Sequence, residues 1–273
     1  MNLKGTRALV IGMKKSGMAS AALLVRQGAE VHSTDLKPLE ELPGARELLE
    51  RLGIPFERQT PAVFEGCDVI VLSPTRLGVA VADVSGKGIA ASLYMAVCRT
   101  NLRQIAPRHI SPAQTLSALN RTMSADIRGD LYVTVLYAVI DVQLSQVTFA
   151  RAGHELPLFA RRDPATGNYL THLVRSEGMP VGLVPDELFA SAIEDRVEAF
   201  DVGDTLVLYT DGVTEAPNEE EKEFSSARLS DVVRACHIRS AREINDGVLE
   251  SVRRFSGDVP QRDDLTLVTV KRA

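Results

Sequence analysis

Three apolar, β-prone runs each carry an aspartate at one end, and this pattern constrains the fold more than any other feature. RLGVAVAD (76–83) ends in Asp83, TLVLYTD (205–211) ends in Asp211, and Asp263 and Asp264 open DDLTLVTV (263–270). A carboxylate at the end of a buried strand costs free energy unless it is paired or coordinates a cation. A lone aspartate of this kind is ordinarily a turn or cap residue. Three on separate strands point instead to one shared site. Hard oxygen ligands without a His or Cys cluster suit Mg2+ or Mn2+ rather than zinc. Two such ions can hold a bridging hydroxide for attack on phosphorus.

The residues around these acids fit turns. VSGKG follows Asp83, and Gly86 and Gly88 allow a tight turn before the Ala/Leu-rich helix that begins near Ile89. The spacing is not that of a phosphate-binding loop. Lys87 reads as a solvated turn residue. His154, in AGHELP, falls in a turn between strands and reads as structural. The acidic run Glu219–Glu221 reads as a solvated loop.

The first 74 residues follow a different pattern. RALVI (7–11) suits a buried parallel strand. Gly12, Ser16 and Gly17 come next, then a helix over MASAALLVRQ that ends at Gly28. AEVHSTD makes a second strand ending in Asp35. A helix over ELPGARELLERLG, a short strand near Pro55–Arg58 and the strand CDVIVLSP (67–74) complete the series. This is a strand–helix–strand order with a glycine turn after the first strand. Such a turn lets a phosphate approach the backbone at a helix N-terminus. Lys14 stands where the G-x-G-x-x-G fingerprint has its second glycine, so a plain tight turn is the alternative reading.

Composition narrows the partners. The 273 residues carry 31 Lys+Arg against 36 Asp+Glu, a net charge of −5. Residues 1–74 hold nine of each sign, so the whole excess lies in the remainder. A nucleic-acid binder more often carries a basic excess, and none is expected here. No run approaches the length of a membrane span, and MNLKGTRALVIGMKKSG lacks a secretory apolar region. Cys67, Cys98 and Cys236 have no metal-ligand spacing and cannot all pair, which suits a reducing, cytoplasmic location.

Two resemblances sharpen these readings. KGTRALVIGMKKSGMASAALLVRQGAEVHSTD resembles the N-terminal domain of the muramyl ligase that adds D-glutamate to UDP-MurNAc-alanine. The likeness covers residues 1–74 and implies an incomplete Rossmann-like parallel sheet. It also implies uridine-nucleotide binding by Gly12, Ser16, Gly17 and Asp35. The ATP loop G-x-x-x-x-G-K-[ST] of that ligase occurs nowhere in the chain, so ligase activity is not expected.

ADVSGKGIAASLYMA, RAGHELPLF, EGMPVGL, GDTLVLYTDGVTEAPNEEEKEF and RDDLTLVTVKR resemble the successive motifs of bacterial PPM-type protein phosphatases of the SpoIIE/RsbU branch. This likeness covers residues 76–273. It implies an α+β αββα sandwich that hydrolyses phosphoserine or phosphothreonine on a signalling protein such as an anti-sigma-factor antagonist. By motif, it implies Asp83, Asp211 and Asp263 as metal ligands and catalytic residues. Asp264 is implied as an auxiliary ligand and the Val84 carbonyl as a backbone ligand, around two Mn2+ or Mg2+ ions.

One departure stands out. The family begins with a Gly-Gly-Asp-aromatic-Asp strand ahead of ADVSGKG, and here FEGCDVIVLSPT occupies that region. One expectation is a hairpin of 67–73 with 77–83 that would bring Asp68 or Glu65 to the metal site. The other is a fusion or truncated product without turnover, which would bind a phosphoprotein or a uridine nucleotide.

Overall fold

The computed structural model describes residues 4, 6–13, 15–35, 37–58, 69–72, 76–109, 111–126, 131–142, 144–163 and 166–272. Contacts divide the chain into two units, 1–77 and 78–273.

The smaller unit is a parallel sheet with two helices. Its strands are β1 (Arg7–Ile11), β2 (Glu30–Asp35), β3 (Phe56–Arg58) and β4 (Val69–Leu72), in the order β3-β2-β1-β4. The β1–β2, β1–β4 and β2–β3 pairings are all parallel. Helix α1 (Lys15–Arg26) and helix α2 (Ala45–Leu52) cover it. Ala8, Val10, Ala21, Leu24, Val31 and Leu49 form its core. The unpatterned apolar run in β1 fits a strand buried from both faces.

The larger unit has four layers. One sheet is ordered β10-β7-β6-β5 and the other β12-β11-β8-β9. Their strands are β5 (Arg76–Val84), β6 (Val133–Asp141), β7 (Gln146–Ala152), β8 (Leu158–Arg162), β9 (Tyr169–Leu173), β10 (Arg196–Ala199), β11 (Thr205–Tyr209) and β12 (Leu267–Lys271). Helices α3 (Ile89–Ile105), α4 (Pro112–Asp126) and α5 (Asp186–Ala192) pack on the first sheet. Helix α6 (Asp211–Thr214) follows β11, and α7 (Ser225–Ala235) and α8 (Ala241–Ser256) pack on the second sheet. Ser240 and Glu243 close a reciprocal capping box at the start of α8.

Strand periodicity builds the layers. Along β6, Leu136, Ala138 and Ile140 face the second sheet, while Val133, Val135 and Tyr137 face the helices. Along β11, Leu206 and Leu208 point between the sheets and Val207 and Tyr209 point to α7 and α8. Both faces are apolar, so alternation is real in space but invisible as polarity. Phe149 and Phe159 meet between the sheets with ring centroids 6.4 Å apart. Truncating either to alanine costs about 3–5 kcal/mol.

The expected hairpin of 67–73 with 77–83 does not form. Strand β4 pairs with β1 in the parallel sheet, whereas β5 lies beside β6. The two strands belong to different sheets, β4 at the end of the parallel one and β5 at the end of β10-β7-β6-β5. Asp68 and Glu65 lie outside the described residues. No described helix is long and apolar enough to cross a membrane.

Candidate functional site

Asp83 is the penultimate residue of β5, and its Oδ1 accepts a hydrogen bond from the Val84 amide at 2.9 Å. Gly86 and Gly88 follow with φ of +89° and +90°, conformations that other residues rarely adopt. Ser85 fastens this turn to the next strand. Its amide donates to the Tyr132 carbonyl at 2.9 Å, and its hydroxyl accepts from the Tyr132 amide at 2.8 Å.

Asp211 opens α6 directly after β11. A Cβ on Gly212 would stand 2.4 Å from the Asp264 carbonyl oxygen, so only glycine lets the 263–264 backbone pass this close. Thr210 ties the same two segments. Its hydroxyl donates to the Asp264 carbonyl at 3.1 Å and accepts from the Thr266 amide at 3.0 Å. The TDG and DDLT motifs are thus two halves of one backbone junction.

Lys87 joins the third segment. Its ammonium donates to the Arg262 carbonyl at 3.0 Å and lies 3.5 Å from Asp263 Oδ2. The side chain is exposed, as the sequence suggests, but it has a defined tertiary partner. Of the acidic run, Glu221 pairs with Arg262 at 2.6 Å.

Charge accumulates where these segments meet. The Asp83 carboxyl is raised above its ordinary 3.8, first by burial and then by Asp211. The Val84 amide opposes the rise, and Asp263 and Asp264 add to it. Two further acids face Asp211. Glu155 and Glu215 are both raised, first by burial and next by that carboxylate. Sequence reasoning missed both. The only signal was their position beside motif residues, Glu155 after His154 and Glu215 in TDGVTEA.

Among the described residues, no group of three or more His, Cys, Asp and Glu side chains closes to ion-holding distance. Asp83 and Asp263 instead hold neighbouring backbone amides, Val84 for one and Asp264 for the other, each at 2.9 Å. The donor set nonetheless fits a hard divalent cation in its chemistry. It is made of oxygen only, it is anionic, and Asp211, Asp263 and Asp264 each disfavour the charged form of Asp83.

His154 is buried, and burial pushes its imidazole down to about 4. Its Nδ1 lies 2.9 Å from the Thr134 hydroxyl. Beside Asp263, a cavity of about 420 Å³ is bordered by Lys87, Glu215, Arg253 and Arg262.

In the smaller unit, Gly12 follows β1 and its amide donates to the Thr34 carbonyl at 2.8 Å. Asp35 ends β2, and both its oxygens accept backbone hydrogen bonds, from Met13 at 2.7 Å and Lys37 at 3.0 Å. Ser16 and Gly17 lie in the first turn of α1.

Comparison with known proteins separates the same two stretches. Residues 73–273 match the family model for stage II sporulation protein E (SpoIIE). Phosphoserine phosphatase RsbU of Bacillus subtilis is 28% identical over 196 residues, which is 72% of this chain and 56% of RsbU. The solved RsbU and RsbW domains of a Mycobacterium tuberculosis protein superpose with a TM-score of 0.59 at 26% identity, covering 72% of this chain and 52% of that one. The UDP-N-acetylmuramoylalanine–D-glutamate ligase of Solibacter usitatus is 66% identical over 74 residues, 27% of this chain and 16% of the ligase. The chain spans less than two thirds of the length of each of these relatives.

Proposed function

The chain belongs to the SpoIIE family through residues 73–273, and from that membership we propose that its larger unit is a metal-dependent phosphoserine/phosphothreonine phosphatase. The observation that supports the reading is that Thr210 and Gly212 bring the Asp211 and Asp263–Asp264 segments together, and that these three carboxylates each disfavour the charged form of Asp83. Asp83, Asp211 and Asp263 would hold Mn2+ or Mg2+, with Asp264 and the Val84 carbonyl as auxiliary donors. Bound there, the ions supply a Lewis acid and a hydroxide source for attack on phosphorus.

The chain's own residues do the rest. Thr210 and Gly212 keep the Asp211 and Asp263 segments together, and Lys87 spans from the Asp83 turn to the same loop. The adjoining cavity, with Arg253 and Arg262 on its border, offers room for the chain flanking a phosphorylated residue. A phosphorylated signalling protein, such as an anti-sigma-factor antagonist, is the substrate class we propose by analogy with RsbU.

The test is hydrolysis of p-nitrophenyl phosphate and of a phosphoserine peptide with Mn2+. Turnover should vanish with EDTA and with Asp211→Asn. Turnover unaffected by either would refute the proposal.

One observation favours an impaired phosphatase instead. Among the described residues β5 is an edge strand, with β6 on one side and no strand beyond. The acid that the family's first strand would bring has no counterpart among them. In that reading the protein binds phosphopeptide without turnover. For the smaller unit, the 66% identity to the ligase segment favours uridine-nucleotide binding at the turn after β1. We assign it no ligation, because no ATP loop occurs in the sequence.

A further inference from the structure

We infer that His154 is a positioning residue: through the Thr134 hydroxyl it fixes the main chain at Asp83 and so sets where that carboxylate stands relative to Asp211. The inference rests on the phosphatase reading and adds a residue to it.

The chain of contacts is short. Thr134 Oγ1 lies 2.9 Å from His154 Nδ1 and donates to the Asp83 carbonyl oxygen at 3.3 Å. His154 sits in the connection between β7 and β8, where the chain leaves one sheet and enters the other. Since the Thr134 hydroxyl gives its proton to the Asp83 carbonyl, the Nδ1–H of the neutral ring donates to Thr134. On the second sheet the Tyr209 backbone favours the ring's charged form, while Nε2 makes no hydrogen bond. Tyr209 precedes Asp211 by two residues. The ring therefore stands between β6, whose Thr134 bonds to Asp83, and the strand that delivers Asp211.

The imidazole is held from behind. Arg151 donates to the His154 carbonyl and to the Ser176 carbonyl, each at 2.7 Å. A Cβ on Gly178 would stand 1.8 Å from the Arg151 carbonyl oxygen, so the EGMP segment lies directly on this turn. That segment is in turn bonded to β6 through Val133 and Val181, at 2.9 and 2.8 Å. The backbone of His154 cannot drift without breaking these contacts. The orientation of its ring reaches the site through Thr134.

Volume alone does not explain the residue. A ring 5% exposed with one nitrogen unpartnered costs more to bury than leucine or phenylalanine of similar size. The contact that distinguishes histidine from those is the one to Thr134. Groups that orient metal ligands from behind typically change metal affinity by about 10–100-fold when removed.

The experiment measures Mn2+ affinity of the full chain by the paramagnetic resonance signal of free Mn2+, with melting followed in parallel. His154→Leu and Thr134→Val should each weaken Mn2+ binding by about tenfold or more. The double variant should be no weaker than the worse single one, because both break one link. His154→Asn, which keeps a polar atom near the Nδ1 position, should recover most of the affinity. Should His154→Leu fail to fold, the nearly isosteric Thr134→Val carries the test alone. A residue that merely fills the core would lower the melting temperature and leave the affinity of the folded protein unchanged, and that result overturns the inference. Wild-type protein that binds no Mn2+ overturns the phosphatase reading and this inference together. Wild-type binding with unaltered variants overturns the inference only.

Discussion

Asp35 and Asp83 hold the same position in their local sequences, near the end of a strand and just before a turn, yet their surroundings are opposite. Both oxygens of Asp35 accept backbone amides, from Met13 and Lys37. Asp83 accepts one amide, that of the next residue, and faces three other carboxylates. The first arrangement satisfies its charge locally. The second leaves charge that only a cation or a proton can offset. An aspartate at a strand end is therefore a structural bracket or a ligand according to what the distant chain brings to it.

The sharpest way to break this contrast is to neutralise both units in turn. Asp211→Asn should lower Mn2+-dependent phosphate hydrolysis by at least about 100-fold, the upper range for losing ligand support. Asp35→Asn should leave hydrolysis unchanged. Equal losses in assays of p-nitrophenyl phosphate would show that the two aspartates do not differ in kind. Thermal melting in EDTA gives a second view of the same repulsion. There Asp83→Asn should melt above wild type, since it removes a raised, repelled carboxylate. Added Mn2+ should reverse that order.

Acid stability comes next in size and belongs to the larger unit. The His154 imidazole is held near 4 against about 6.5 in the unfolded chain. Between those values the unfolded state binds a proton that the folded state refuses. Stability therefore falls as pH drops from about 6.5 toward 4, by about 3 kcal/mol in all. Above pH 6.5 the group contributes nothing to the slope. Urea melts of wild type and His154→Asn across this window should converge at neutral pH and separate in acid, with wild type the weaker. Parallel curves would mean that the imidazole is not kept neutral by burial.

How much of this was legible in the sequence follows the same division. β1, β2, β5 and β11 could be read because each is an apolar run closed by Gly, Asp or a turn. The three aspartates could be read because each stands at such a boundary. The junction of the Asp211 and Asp263–Asp264 segments could not be read from spacing. It depends on Thr210 bonding to Asp264 and on the room that Gly212 leaves, and both are tertiary facts. Glu155 was invisible for the same reason, since its neighbour Asp211 is far along the chain. The hairpin expected between 67–73 and 77–83 failed because proximity in sequence says little about which sheet a strand joins. β4 takes the parallel register of β1 from Ala8 to Ile11, while β5 joins the antiparallel sheet beside β6. In the larger unit, apolar residues on both faces hid the two-residue period from a polarity reading.

Returning to the bracket itself, Asp35→Ala should destabilise the smaller unit by about 1.5–3 kcal/mol, the range for hydrogen bonds to a charged group. It leaves two amides without their acceptor, one after β1 and one after β2. The expected readout is faster amide exchange in 7–13 and 30–37, with exchange in β6 and β11 unchanged. Protection lost equally in both units would mean that they unfold as one body.

The smallest effect separates two lysines that look alike by distance. Lys37 stands 3.6 Å from Glu41, four residues on, and Lys87 stands 3.5 Å from Asp263 across the fold. Both pairs are exposed, and each is worth below about 1 kcal/mol because water and salt screen it. The difference lies in the second bond. Lys87 also donates to the Arg262 carbonyl, a neutral acceptor that salt does not screen in the same way. Lys37→Met should therefore change stability by an amount that disappears in 1 M NaCl. Lys87→Met should keep part of its cost at the same salt, because the lost carbonyl bond joins two distant loops. Identical salt dependence in the two variants would show that Lys87 is an ordinary surface charge, as its neighbours in the sequence suggest.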